Sequence, residues 1–309
     1  MPMAAGNIPR LDRSAQALLG DGAYAVLPAP LFRGITSRAP QIGNATMLLR
    51  QPTYFIPHGG GPCFFMDDPN GTWTGMAAFL RSIPAQLPEP PKAILIVSGH
   101  WETEGFAFTT APRPSLLFDY YGFPPHTYEL RYDAPGDPAL AQAASNLLTN
   151  AGFKAGADGE RGLDHGVFVP LKVAFPEASI PVVEMSLDHR LDPAQHLAAG
   201  HALAPLRQEG VLIVGSGMSF HNMRGYRDPR FTPVSESFDG WLTDAVESAA
   251  NDRAEKLKAW EEAPGARLSH PAEEHLVPLM VVAGASDEPG KKVYSEHVMK
   301  TVISGFRFN

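Results

Sequence analysis

A chain of 309 residues, 44% hydrophobic and 19% charged, has material for a sizeable core in one large domain or two small ones. Its formal net charge of −8, with no basic stripe, excludes nucleic acid and anionic membrane surfaces as natural partners. No apolar run approaches the roughly 20 residues of a membrane span. The single cysteine, Cys63, excludes an internal disulfide and a cysteine-based zinc knuckle, so any metal must rest on histidine and carboxylate.

Residues 1–50 differ in texture from the rest: Pro, Gly and Ala with scattered arginines and little periodicity. They lack the apolar core of a secretory signal. Acidic residues there are few, Asp12 and Asp21, so the segment reads as an N-terminal arm or as an organelle transit peptide, and the arm is the expectation. Otherwise the chain is expected in the cytoplasm, with residues 51–309 as a single domain.

From residue 53 strand and helix signals alternate. "TYFI" (53–56) is a short apolar run that ends at Pro57 and is followed by His58 and three glycines. Trp73, Met76, Ala77 and Leu80 have helical spacing after Asn70-Gly71-Thr72. "AILIVSG" (93–99) is a second strand. Asp137-Pro138 opens a helix as N-cap and first helical residue, with Leu140, Ala144, Leu147 and Leu148 on its face and Gly152 closing it. "IPVVEMSL" (180–187) and "VLIVGSG" (211–217) are further strands, and Asp192-Pro193 repeats the capped opening before a helix that ends near Gly210. Trp241, Leu242, Ala245 and Val246 share a helix face, and "EEHLVPLMVVAGA" (273–285) reads as a helix entered after Pro271. The alternation predicts an α/β fold: a central sheet, mostly parallel or mixed, flanked by helices.

The chain has eleven histidines. His58, His100 and His221 each follow a predicted strand, presented by Gly- or Ser-rich turns. Parallel strands bring their carboxyl ends to one edge, where open α/β sheets bind ligands, so these residues are expected to converge. Gly59, Gly60 and Gly61 would then let backbone pass close to whatever His58 holds. A metal is the natural reason to gather imidazoles, and neutral imidazole suits iron, zinc, copper and nickel, although strand-end histidines also serve as acid–base groups without metal. His165, beside Asp164, and His275, behind Glu273 and Glu274, fit the same cluster; a loop position is the alternative for His165, and the glutamates are rival ligands to His275. The remaining His126, His189, His196, His201, His270 and His297 read as surface or helix-face residues. His196 and His201 lie five apart on one helix, a poor metal pair.

Six stretches occur in family order: "PHGGGP", "VSGHW", "DYYGFPPHTYELRYDAPGDPALAQ", "LDHGVFVPL", "GSGMSFHNMR" and "HPAEEHLVPLMVVAGA". On these pieces the chain resembles the class III extradiol ring-cleaving dioxygenases, and within them the 4,5-DOPA dioxygenase branch, from about Thr53 to the C-terminus. The resemblance implies that residues 51–309 are a catalytic extradiol dioxygenase-like domain. It implies His58, His100 and His275 as ligands of a non-haem ion, His221 as the acid–base residue near it, and His165 as a histidine lining the substrate pocket. Protocatechuate-type relatives use two histidines and a glutamate, which leaves Glu274 as the alternative third ligand. The glycines after His58, and His126 in "GFPPHTY", depart from the branch pattern near the pocket, so substrate identity is where the likeness carries least.

The implied reaction opens the ring of a catechol-type, 3,4-dihydroxyphenyl substrate with O2 on Fe(II); Zn(II) can replace iron in purified protein, because imidazole sites hold it more tightly. A small aromatic diol and O2 are then the partners, a homodimer being the default assembly. Tyr120, Tyr121 and Phe123 are candidate apolar walls, with plain core packing as the alternative, and Arg131, or His126 if protonated, can receive a substrate carboxylate. Two other readings stay open: a zinc-dependent hydrolase on the same histidines, and a non-catalytic metal-binding scaffold.

Overall fold

The structure is a computed structural model that describes residues 50–309. The expected N-terminal arm or transit segment falls, but for Arg50, outside the described residues. Among the described residues eight strands make one sheet: β1 (Thr53–Pro57), β2 (Ala93–Thr103), β3 (Phe106–Thr109), β4 (Ala155–Asp158), β5 (Val182–Asp188), β6 (Val211–Gly217), β7 (Gly290–Val298) and β8 (Thr301–Phe308). Their spatial order is β4-β3-β5-β2-β6-β1-β8-β7. The central β5, β2, β6 and β1 run parallel, while β3 opposes β5 and β8 opposes β1. The sheet is therefore mixed, with a parallel middle.

The helices are α1 (Thr74–Ser82), α2 (Pro138–Asn150), α3 (His165–Ala174), α4 (Pro193–Leu203), α5 (Thr232–Val246), α6 (Ala250–Lys258), α7 (Ala266–Ser269) and α8 (Val277–Gly284). Side chains alternate across the central strands and sort the core into two layers. Tyr54, Ile56, Ile94, Ile96, Leu212 and Val214 pack under residues of α1 and α3. Phe55, Leu95, Val97, Val183 and Ile213 face the other way, under α2, α4, α5 and α8. Strands buried on both faces have to be continuous apolar runs, which is why these four are legible in the sequence.

The capped helices form as their residues dictate. The Asp137 carboxylate accepts the Leu140 N–H at 2.9 Å, with Pro138 at the first helical position. Asp192 accepts the Ala194 N–H at 2.9 Å, again before proline. Helix α4 ends at Leu203, and a 3₁₀ segment, Ala204–Glu209, carries the chain to left-handed Gly210. Helix α3 carries little amphipathic signal, because every residue in it but Lys172 is buried. The β7–β8 hairpin turns at Met299-Lys300, both with positive φ (48° and 71°), where Asn-Gly would be the usual signal. Tertiary bonds hold this turn: the Arg227 N–H donates to the Met299 carbonyl at 2.7 Å and the Thr232 hydroxyl to Lys300 O at 2.8 Å.

Candidate metal centre

Five histidines meet at the carboxyl-end edge of the parallel strands. His58 directly follows β1; its N–H donates to Gly217 O at 3.2 Å and its side chain is buried. His100 lies inside β2 rather than after it, where pairing with β5 shifts register between Val97 and Glu102. His165 is the first residue of α3. His221 lies beyond β6, its N–H donating to Ser269 O at 2.9 Å. His275 is not on the first turn of α8 but in the turn before it, where its carbonyl accepts the Met218 N–H at 2.9 Å. That turn lies hard against the sheet. A Cβ on Gly99 would come within 2.8 Å of Glu274 O, and one on Gly217 would strike His275 O.

The rings of His58, His100 and His275 have centroids 4.7–5.1 Å apart, with 4.9 Å between His58 and His100. One nitrogen from each lies within 4.8 Å of the others, a spacing that can hold a metal ion. His165 adjoins His100 at 4.0 Å between centroids, and His221 stacks on His275 at 3.5 Å and 17°. Both nitrogens of His58, and Nε2 of His100 and of His275, are buried with no hydrogen-bond partner among the described residues. Leaving such atoms unpaired costs ~1–3 kcal/mol each, so a donor set of this kind fits a cation that takes up the lone pairs.

Electrostatics keep these rings neutral. Burial, reinforced by His100, His275 and the other imidazoles, holds His58 well below the usual histidine range. Burial and then His165 push His100 down to about 4, against the pull of Asp164 and Asp119. In His275 burial outweighs the Glu274 hydrogen bond and the pKa falls well below the usual value. Burial opposes the charge on Glu274, yet contacts from His221 and His275 hold its carboxyl below the carboxylate range. Asp119 is likewise held low, its hydrogen bond from His165 overcoming burial.

The other expected residues part company. Tyr120 is buried 5.8 Å from the His165 ring, and its hydroxyl donates to Thr127 O at 2.6 Å. Phe123 packs edge-on against Tyr120 at 5.4 Å. Tyr121 is 92% exposed and forms no wall, because its neighbour Tyr120 takes the inward position of the loop. His126 is exposed and bonds through Nε2 to Phe65 O at 3.0 Å. A carbonyl only accepts, so Nε2 donates there, which leaves Nδ1 as the ring nitrogen open to another partner. The three glycines serve the turn more than a ligand: Gly59 and Gly61 have φ of +80° and +53°, and a Cβ on Gly61 would lie 2.9 Å from the Phe123 ring. His196 and His270 are fully buried, not on the surface.

Asp119, Arg161 and Glu184 contribute without a mark in the sequence. Asp164, the obvious partner for His165, instead accepts from Ser98 Oγ at 2.8 Å and Arg161 at 2.9 Å. The His165 ring bonds Asp119, 46 residues away, at 2.8 Å. Asp119 opens the quoted stretch "DYYGFPPHTY", but nothing local reveals its target. Arg161 links Asp164 to Glu184 and lies over the Trp101 ring at 4.5 Å. Burial and Asp164 push Glu184 well above its usual range against the pull of Arg161. This network also grips the backbone of His100: Ser98 Oγ accepts its N–H at 3.2 Å, and Arg161 donates to its carbonyl at 3.4 Å.

With this geometry in view, comparison with known proteins is direct. Residues 52–307 match the family described as the catalytic LigB subunit of aromatic ring-opening dioxygenase. The chain is 38% identical over 242 residues to a 4,5-DOPA dioxygenase extradiol of Beta vulgaris, covering 77% of this chain and 88% of that one. It is 39% identical over 265 residues to the dioxygenase tasH of Hapsidospora irregularis, with 78% and 79% covered. A crystal structure of an uncharacterized Escherichia coli K12 protein superposes with a TM-score of 0.68 at 30% identity, covering 84% of this chain and 100% of that one. Among the described residues no helix is long and apolar enough to cross a membrane. A match over most of the chain, together with a histidine cluster able to hold a metal, leads to one conclusion: the chain belongs to the LigB family of aromatic ring-opening, extradiol dioxygenases.

Proposed function

We propose that His58, His100 and His275 hold one ferrous ion and that the protein opens catechol-type rings bearing a side chain para to one hydroxyl, consuming one O2 per ring. The observation that carries this reading is the set of buried, unpartnered imidazole nitrogens gathered within 4.8 Å of one another. The names of the relatives, 4,5-DOPA dioxygenase extradiol in Beta vulgaris and in Portulaca grandiflora, support a 3,4-dihydroxyphenyl substrate. His275 is favoured over Glu274 as third ligand because Glu274 Oε1 already accepts from His275 Nδ1 at 2.8 Å.

When bound, the ion supplies positive charge that lowers the pKa of an adjacent hydroxyl and a redox centre for the reaction with oxygen. The chain supplies the rest. His221, half-buried beside the cluster, takes the first catechol proton, which leaves from the hydroxyl oxygen. His165, whose ring adjoins His100 at 4.0 Å, orients the diol, takes the second hydroxyl proton on Nε2 and returns that proton as the ring opens. Tyr120 and Phe123 form an apolar wall that keeps the aromatic ring in plane and excludes water. Two proton carriers on different elements avoid asking one imidazole to be base and acid at once.

The test is anaerobic loading with Fe(II), then a panel of 3,4-dihydroxyphenyl acids, amines and neutral catechols in an oxygen electrode with spectral detection of a coloured semialdehyde. The expected result is stoichiometric O2 uptake with ortho-diols and none with single phenols. Fully loaded protein that consumes no O2 with any catechol would end this substrate reading.

A further inference from the structure

We infer that Asp119 and Glu274 are a pair of positioning carboxylates that lock the tautomers of the clustered imidazoles, Glu274 for the metal side and Asp119 for the substrate side. The inference rests on the proposed ion among His58, His100 and His275.

Each carboxylate meets imidazole only at Nδ1. Asp119 Oδ1 accepts from His165 Nδ1 at 2.8 Å and from the His165 backbone N–H at 3.0 Å, so ring and main chain are pinned to one oxygen. Its second oxygen lies 3.9 Å from His100 Nδ1. Across the cluster, Glu274 Oε1 accepts from His275 Nδ1 at 2.8 Å and lies 3.3 Å from His221 Nδ1. The His221 and His275 rings stack nearly parallel, which sets both Nδ1 edges against that oxygen.

An ionised carboxylate can only accept, so the proton of His275 and of His165 must sit on Nδ1. The lone pair is then on Nε2. In His275 that Nε2 is one of the buried atoms without a partner. Without the carboxylate a neutral imidazole exchanges between two tautomers, and one of them turns an N–H toward the position an ion would take. Fixing the tautomer and raising ligand basicity is what such outer carboxylates do in metal sites, and removing one typically costs ~10–100-fold in affinity or activity. The division of labour follows from the contacts. Glu274 touches a proposed ligand and the proposed base; Asp119 is hydrogen-bonded only to the substrate-side histidine, and its 3.9 Å approach to His100 is too long for a hydrogen bond.

The full-length chain carrying Glu274→Gln, Glu274→Asp or Asp119→Asn tests this. Co(II) and Zn(II) affinity, measured by competition with a chelator, should fall ~10–100-fold in Glu274→Gln and change the visible Co(II) spectrum. Glu274→Asp, which keeps the charge, should restore part of the affinity and guards against simple unfolding of the Gln variant. Asp119→Asn should leave metal affinity within about 3-fold of wild type while lowering kcat ~10–100-fold with a much smaller change in KM. Nitrogen NMR of the Zn(II)-loaded protein should show His165 as the Nδ1–H tautomer in wild type and a mixed population in Asp119→Asn. Wild-type metal affinity and Co(II) spectrum in Glu274→Gln, or an unchanged His165 tautomer in Asp119→Asn, overturns the inference while leaving the metal centre standing. Failure of wild type itself to bind Co(II) or Zn(II) removes the metal centre instead.

Discussion

Two kinds of buried histidine sit in this molecule, and the contrast separates structure from chemistry. His196 is fully buried in α4, yet both of its nitrogens are occupied: Nδ1 on Asp192 O at 2.8 Å and Nε2 accepting the Asp188 N–H at 3.1 Å. It joins a helix to the end of β5 and asks for nothing more. His58 and His275 are comparably hidden and His100 is half-buried, but each keeps a buried nitrogen without a partner, and one nitrogen from each lies within 4.8 Å of the others. Burial therefore does not mark a functional histidine. Unpaired nitrogens converging on one point do, because a fold gains nothing from desolvating them unless something else pairs with them.

The sharpest way to break the comparison is to exchange roles by mutation. Single His58→Ala, His100→Ala and His275→Ala variants should each fail to retain stoichiometric metal after reloading and lose turnover to background, as read by metal analysis. If His275→Ala keeps its metal and Glu274→Ala does not, the third ligand is the glutamate. The next effect in size is on the proposed base: His221→Ala should keep its metal and lose ~10²–10⁴-fold in kcat, with one limb of the pH–rate profile gone. An unchanged kcat would assign the base elsewhere.

His196→Ala should do the reverse. It strands the buried Asp188 N–H and opens a cavity, a combined loss of about 2–5 kcal/mol, visible as a lower Tm with metal stoichiometry intact. Loss of metal in a folded His196→Ala protein would blur the distinction. The smallest effect sharpens it by pH. Burial pushes His270 down to about 4, although its bond to Ser219 O pulls the other way. Unfolded histidine titrates near 6.5, so the unfolded state binds a proton first as pH falls. Stability from His270 is thus fully present above about pH 6.5 and is lost as pH drops toward 4, by at most ~3 kcal/mol at 1.36 kcal/mol per unit. Urea melts of metal-free protein should show a shallower slope between those pH values for His270→Phe than for wild type, with equal slopes counting against a buried neutral His270.

The sequence by itself determined a good deal. The four central strands are apolar enough to be read directly, and the Asp-Pro starts of α2 and α4 are chemical signals independent of context. Histidines placed at or near the ends of parallel strands had to share an edge, so the convergence of His58, His100 and His221 follows from topology alone. What tertiary structure decided is what depends on partners distant in the chain. The Met299-Lys300 turn is held by Arg227 and Thr232 rather than by turn residues, so the β7–β8 hairpin leaves no local mark. Helix α3 is buried at every residue but Lys172 because both the sheet and the 116–128 loop cover it, which weakens the periodicity that reveals a helix. His196 and His165 both have an acidic residue close by in sequence, yet His196 is satisfied by backbone and His165 by Asp119. A carboxylate beside a histidine in sequence fixes neither direction nor distance; only the packing of α3 against the loop that carries Asp119 brings the oxygen to 2.8 Å from the ring.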